Sequence, residues 1–397
     1  MDKPSAKITT QLPNFKQRLE QLLATASVSS VSPEWDMGNI EVINILASWF
    51  ESLGFSIEIQ YLNDNKKKAN LIATLGTGEG GLVLAGHSDT VPFNEERWQY
   101  TPLGLTEADN KFYGLGSCDM KGFFSLIIEA VIPLIEAGTV LKQPLIILAT
   151  ADEESSMSGA RALKAASLKK PRAAVIGEPT GLKPIHMHKS IMMHALDIQG
   201  KSGHSSNPNL GHSALEAMSD ALTGIRSFRE ELAKSFSNSQ FEIAQPTLNL
   251  GCIHGGDNPN RICNQCELHF DFRGLPGMKN AQVLEALKQH LAPIEQKHQV
   301  QLNYRSLFGG VESFFQDKES KLIQLVEKLT DHAASSVAFA TEAPFLSAMN
   351  INTVVLGPGS IDQAHQPNEY LALDQIKPGV KLLESLIDQY CIQTDTV

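Results

Sequence analysis

Three short apolar runs each end on acidic or imidazole side chains. LVLA (82–85) runs directly into GHSDT, which holds His87 and Asp89; LIILA (145–149) runs into TADEES, with Asp152, Glu153 and Glu154; AAVI (173–176) runs into GEPT, with Glu178. Asp119, in GSCDMKG, stands before a helical stretch, and His365, in IDQAHQPNE, comes after TVVL (353–356) and a Gly-Pro-Gly turn. Imidazoles and carboxylates without thiolate suit zinc first, with cobalt and manganese as alternatives. Two histidines and three carboxylates exceed what one tetrahedral ion needs. They serve two divalent ions about 3.5–4 Å apart if one carboxylate bridges. A pair of that kind activates water at neutral pH and so points to hydrolysis. Neighbouring residues in extended chain face opposite ways, so Glu153 and Glu154 can divide labour, one as ligand and one as general base. Asp89, two residues after His87, is a candidate to accept the other ring proton.

Each signal has a plainer reading. An isolated H-x-D is common, and a strand-end acid often caps the next helix. The weight comes from the shared edge, since the carboxyl ends of strands in an open α/β sheet form a crevice. Competing motifs fail on context. GTGEGG (76–81) precedes a strand rather than opening a helix, so it is no dinucleotide fingerprint. There is no phosphate-binding G-x-x-x-x-G-K-[ST] and no G-x-S-x-G elbow. His204 lies between serines in GKSGHSS, but its surroundings offer no evident oxyanion donors for a Ser/His nucleophile.

The elements that must position these residues are legible as patterns. Asn39 to Leu53 reads as an amphipathic helix stopped by Gly54, and FSIEIQY alternates as a half-buried strand. The four apolar runs lack alternation and are separated by helical stretches such as Phe123 to Ile135. That predicts a mostly parallel central sheet with helices on both faces. From about Ser190 the order changes to strand, helix, strand, strand, helix, strand, the order of a ferredoxin-like α+β unit. The expected division is therefore an α/β domain in two parts, 1–182 and 309–397, interrupted by an inserted domain at 183–308. LFGG (307–310) is read as the connection leading out, and Lys66-Lys67-Lys68 as a solvated turn.

Composition narrows the class. The 397 residues are 42% hydrophobic and carry a formal charge of −11, which disfavours non-specific nucleic-acid binding. The start, MDKPSAKITTQLPNF, has no apolar core of a secretory leader, and no run reaches the ~18–20 residues needed to span a bilayer. Five scattered cysteines suit reduced thiols in a cytoplasmic protein. Cys263-x-x-Cys266 lacks a second ligand pair, so a strand with incidental cysteines is the preferred reading.

GHSDT, GSCDMKG, ADEES, GEPT and AHQPNE, ordered as they are from about Glu20 to the end, resemble the metallo-aminoacylase and carboxypeptidase family that includes succinyl-diaminopimelate desuccinylase. The resemblance implies that Asp119 bridges two metals, with His87 and Glu178 completing one and Glu154 and His365 the other. It implies Glu153 as base, Asp89 orienting His87, and a cis peptide between Asp119 and Met120. The inserted domain is implied to form a homodimer and close as a lid, with His204 reaching the neighbouring subunit's site to stabilise the oxyanion. Asn260 and Arg273 match positions that hold a substrate carboxylate, and Arg261 is a second candidate; a structural salt bridge is the other reading of Arg273. The longer blocks SCDMKGF, TADEESSMSGAR, TEAPF and LGPGSIDQAHQPNEY narrow the implied substrate among N-acyl amino acids to N2-acetyl-L-ornithine, on the route to arginine. Another N-acyl amino acid, N-succinyl-diaminopimelate or a dipeptide is the alternative. Glu342 is the candidate partner for a cationic substrate side chain, against a reading as a helix-start acid. Leu115 departs from the arginine common among relatives.

Overall fold

The computed structural model describes residues 12–393; the leader reading rests partly on residues 1–11, which lie outside the described residues. Two compact units result, one built from the chain before Met187, Gln316–Ser335 and the chain from Thr341 on, the other from Met187–Phe315 and Ser336–Ala340. These divisions fall a few residues beyond the expected 182/183 and 308/309. The short return at Ser336–Ala340 left no mark in the sequence pattern.

In the first unit, four strands lie side by side and parallel, in the order Leu145–Thr150, Leu82–His87, Ala173–Pro179 and Asn352–Gly357. The first three are buried at every residue, which requires cover on both faces and explains their unbroken apolar runs. Antiparallel strands Ala69–Leu75 and Ser56–Tyr61 extend the sheet beyond Leu145–Thr150. There the alternation expected for FSIEIQY is the pattern of an edge with one wet side. Helices Ile40–Ser52, Lys121–Glu136 and Leu373–Ile387 contribute Val42, Phe124 and Leu386, each fully buried, to one core with Leu84 and Ile147. Gly54, at φ 89°, ends the first of these helices in the left-handed conformation that favours glycine.

The second unit is a four-stranded antiparallel sheet ordered Thr247–Gly255, Gln265–Arg273, Ile191–Gln199, Gln301–Val311. Helices Ala214–Ser235 and Asn280–Leu291 share its core through Met218, Ile225 and Leu287. Cys266 is fully buried in that core, and all five cysteines are free thiols. One expectation needs correction. LFGG is no connection, because the last strand continues to Val311, with register shifts after Ser306 and Phe308 that let the glycines pass. Among the described residues, no helix is long and apolar enough to cross a membrane.

Candidate metal centre

Strand register brings the candidate ligands to one edge. His87 pairs with Thr150, Ala85 with Ile176, and Gly357 with Pro179. The parallel strands therefore end level. Glu178 at one strand end, and Glu153-Glu154 and the His365 loop just past two others, emerge on the same side as His87. Asp119 reaches that edge from the turn before helix Lys121–Glu136, and the Asp119–Met120 peptide is cis.

Asp119 stands between the two histidines. Its Oδ1 lies 3.0 Å from His87 Nε2 and its Oδ2 3.5 Å from His365 Nε2. His365 Nε2 is also hydrogen-bonded to Glu154 Oε2 at 2.9 Å. Donor atoms of His87, Asp119 and Glu154 all lie within 4.8 Å of one another, and so do those of His87, Glu153 and Glu178. The second group places the Glu153 carboxylate beside His87 and Glu178, so distance alone does not separate base from ligand.

The electrostatics are those of anions crowded out of water. Burial and then the repulsion of Glu178 push the Glu153 carboxyl well above the usual range; burial and then Asp119 do the same to Glu178. Burial raises Asp89 to about 7. Burial works against a charged His87, yet the hydrogen bond and charge of Asp119 lift it well above the ordinary histidine value. The hydrogen bond to Glu154 lifts His365 to about 9. Glu154 Oε1 and Asp89 Oδ1 are buried without a hydrogen-bond partner. Neutral acids and charged imidazoles are a costly substitute for what a multivalent cation supplies directly. The donor set fits divalent cations, which His87, Asp119, Glu153, Glu154, Glu178 and His365 would be placed to hold.

Three sequence expectations change in detail. Asp89 supports the His87 ring through its backbone carbonyl, 3.1 Å from Nδ1, while its carboxylate is 3.8 Å away and instead accepts the Glu154 backbone N–H at 3.1 Å. Lys68 is not on a solvated turn: its ammonium pairs with Asp36 at 2.7 Å and Asp152 at 2.6 Å. Asp152, at φ 60°, also accepts Ser29 and Ser158 hydroxyls, which anchors the loop entering Glu153-Glu154. Glu342 precedes helix Ala343–Ser347 but makes no side-chain cap; the Ala343 N–H is taken by Thr341. Its buried carboxylate, raised by burial and opposed by a hydrogen bond to Thr150, keeps Oε1 unpartnered and adds to the negative field on Glu153 and Glu178.

Sequence reasoning missed Glu369. Its buried Oε1 accepts the backbone N–H groups of Gly116, Cys118 and Asp119 at 3.0, 2.8 and 2.9 Å. The only hint was its place in AHQPNE. Leu115, 2% exposed, lines a cleft of about 850 Å³ with Trp35, Met37, Trp98 and His365.

The remaining candidates belong to the second unit. His204 and Arg261 form an isolated antiparallel bridge, and the Ser205 N–H donates to the Asn260 carbonyl, so these three are local neighbours. His204 Nδ1 lies 2.8 Å from Ser206 Oγ, and Arg261 pairs with Asp257 at 2.6 Å. Arg273 ends strand Gln265–Arg273 with its guanidinium 3.0 Å from Asp271, the salt-bridge arrangement weighed against a substrate role.

Fold and site define a metal-dependent hydrolase of amide bonds. The chain belongs to Peptidase family M20/M25/M40, whose model matches residues 83–389. It is 47% identical to an acetylornithine deacetylase of Pasteurella multocida, over 96% of this chain and 99% of that one. Among solved structures it is similar to aminopeptidase PepT from Bacillus cereus, with TM-score 0.74, 18% identity and coverage of 94% and 98%. It is also similar to a dinuclear metal-binding peptidase of the M20 family from Bacillus subtilis, with TM-score 0.67, 16% identity and coverage of 94% and 96%.

Proposed function

We propose that this protein removes the acetyl group from N2-acetyl-L-ornithine, releasing L-ornithine and acetate on the route to arginine, in the cytoplasm and as a homodimer. The observation that carries this reading is the pairing of Asp119 with both His87 and His365, one carboxylate oxygen to each, together with full-length similarity to enzymes of that name.

In this reading His87, Asp119, Glu154, Glu178 and His365 would hold two zinc ions, with Asp119 shared between them. Bound there, the ions supply Lewis acidity toward the acyl carbonyl and toward water. Glu153 takes the proton of the attacking water and returns it to the departing amine. Its raised proton affinity suits both halves of that task. In the homodimer His204 would reach the neighbouring subunit's site and donate to the oxyanion, and Asn260, Arg261 and Arg273 are assigned to the substrate carboxylate. Glu342 offers its free oxygen to the substrate's side-chain ammonium.

A panel of N-acetylated amino acids, N-succinyl-diaminopimelate and dipeptides, assayed with zinc-reconstituted protein for release of free amine, tests the assignment. N2-acetyl-L-ornithine should give the highest kcat/KM. A preference for a succinylated substrate or a dipeptide would replace the substrate and leave the hydrolytic centre standing.

A further inference from the structure

The second unit carries another convergence of ligand-type side chains. Strands Thr247–Gly255 and Gln265–Arg273 are antiparallel neighbours whose register sets Cys252 opposite His269 and His254 opposite Glu267. Residues i and i+2 of a strand share a face, and directly opposed residues lie ~4.5–5.5 Å apart. The four side chains therefore occupy the corners of one patch. Regular alternation would not put them there. Leu250 is paired with Phe270, which is 2% exposed, so unbroken alternation would send Cys252 into the same core. The register shift between Leu250 and Cys252 inserts one extra residue, Gly251, and turns Cys252 and His254 to the outer face shared by Glu267 and His269.

The donors already engage one another. Cys252 Sγ is 3.0 Å from His254 Nε2, the His254 and His269 rings meet edge to face at 6.4 Å, and Glu267 is hydrogen-bonded to His269 Nε2. Arg305 lies 3.2 Å from Glu267, and Asp197, 3.7 Å from Arg305, offsets its charge.

We propose that Cys252, His254, Glu267 and His269 bind a borderline divalent cation such as Zn2+. One thiolate, two imidazoles and a carboxylate form a tetrahedral zinc donor set. As they stand the four donors form two bonded pairs. Side-chain rotations that bring the two pairs together would exchange those two hydrogen bonds for four coordinate bonds, and the Cys252 thiol would release its proton to solvent as the ion binds. The ion staples Thr247–Gly255, an edge strand, to its neighbour. This site is independent of the deacetylase reading.

Cobalt(II) reports on it selectively, because a thiolate ligand gives a charge-transfer absorption in the near ultraviolet that a centre of oxygen and nitrogen donors lacks. The full chain titrated with cobalt(II) chloride should develop that band at micromolar metal. Cys252→Ser should abolish it and bind one metal equivalent fewer by elemental analysis, with unchanged circular dichroism and unchanged amide hydrolysis. Cys118→Ser, which removes the thiol next to Asp119, should retain it. Absence of the band, its survival in Cys252→Ser, its loss in Cys118→Ser, or its appearance only at millimolar cobalt would each overturn the proposal.

Discussion

Asp119 is held from behind by Glu369: a single carboxylate oxygen takes the Asp119 backbone N–H at 2.9 Å along with two other N–H groups of the same turn. The two acids lie close enough to repel. Burial and then that repulsion raise Glu369 to about 8, against the pull of the three N–H groups. A cation held by Asp119 would offset that repulsion.

Replacing Glu369 should therefore act on metal retention before it acts on chemistry. Supporting groups behind metal ligands are worth about 10–100-fold in affinity. Glu369→Ala should lose zinc in that range on equilibrium dialysis, with excess zinc restoring much of the rate. Glu369→Gln, which keeps one acceptor oxygen, should fall between. Unaltered zinc affinity in both would show that the turn holds its shape unaided.

Glu153→Gln separates base from ligand, which distance alone leaves together. The expected result is a loss of at least about 10²–10⁴-fold in kcat with zinc content near normal by elemental analysis. Loss of zinc in parallel would move Glu153 into the ligand set.

Glu342 has a buried oxygen without a partner. Glu342→Gln should raise KM for N2-acetyl-L-ornithine more than for N-acetylmethionine, which has no side-chain ammonium. Equal effects on the two substrates would remove the contact from the account.

Metal removal should destabilise the protein more as pH rises. Asp89 and Glu369 have folded values raised to about 7 and about 8, so the unfolded chain ionises them more easily, and the metal-free fold loses stability from the ordinary carboxylate range up through those values. His365, raised to about 9, stabilises the metal-free fold when charged, and that contribution also disappears between its unfolded value and about 9. All three act in the same direction. Bound cations remove the repulsion and bind more tightly as ligands deprotonate. The gap in Tm between zinc-loaded and chelator-treated protein should widen from pH 6 to pH 9 in scanning calorimetry. A gap that narrows would contradict the crowded-acid picture.

Much of the centre was readable because its residues stand out locally. His87 and Glu178 interrupt or end apolar runs that only a doubly covered strand explains, so their position at a sheet edge is a consequence of periodicity. Lys68 was misread for the opposite reason. In sequence it is the last of three lysines in a polar turn, and nothing nearby shows that Asp152, on another strand's exit loop, will draw it in. Asp89 was legible as the partner of the other His87 ring nitrogen from its spacing, but which of its oxygens makes the contact, the backbone carbonyl at 3.1 Å, depends on how the chain turns. LFGG looked like a connection because two glycines usually mark one, yet antiparallel pairing tolerates them where the register shifts.

The chain's own pattern determined the α/β class, the inserted α+β unit and the identity of the acids and histidines at the strand ends, since alternation and apolar runs report directly on which face is buried. Tertiary structure alone decided that Asp119 turns one oxygen to His87 and the other to His365, that Glu369 secures its turn, and that Gly251 rotates Cys252 toward His269. Those relations depend on packing between segments far apart in the chain, where a rotation of one side chain or one inserted residue changes the partner and leaves the local pattern the same.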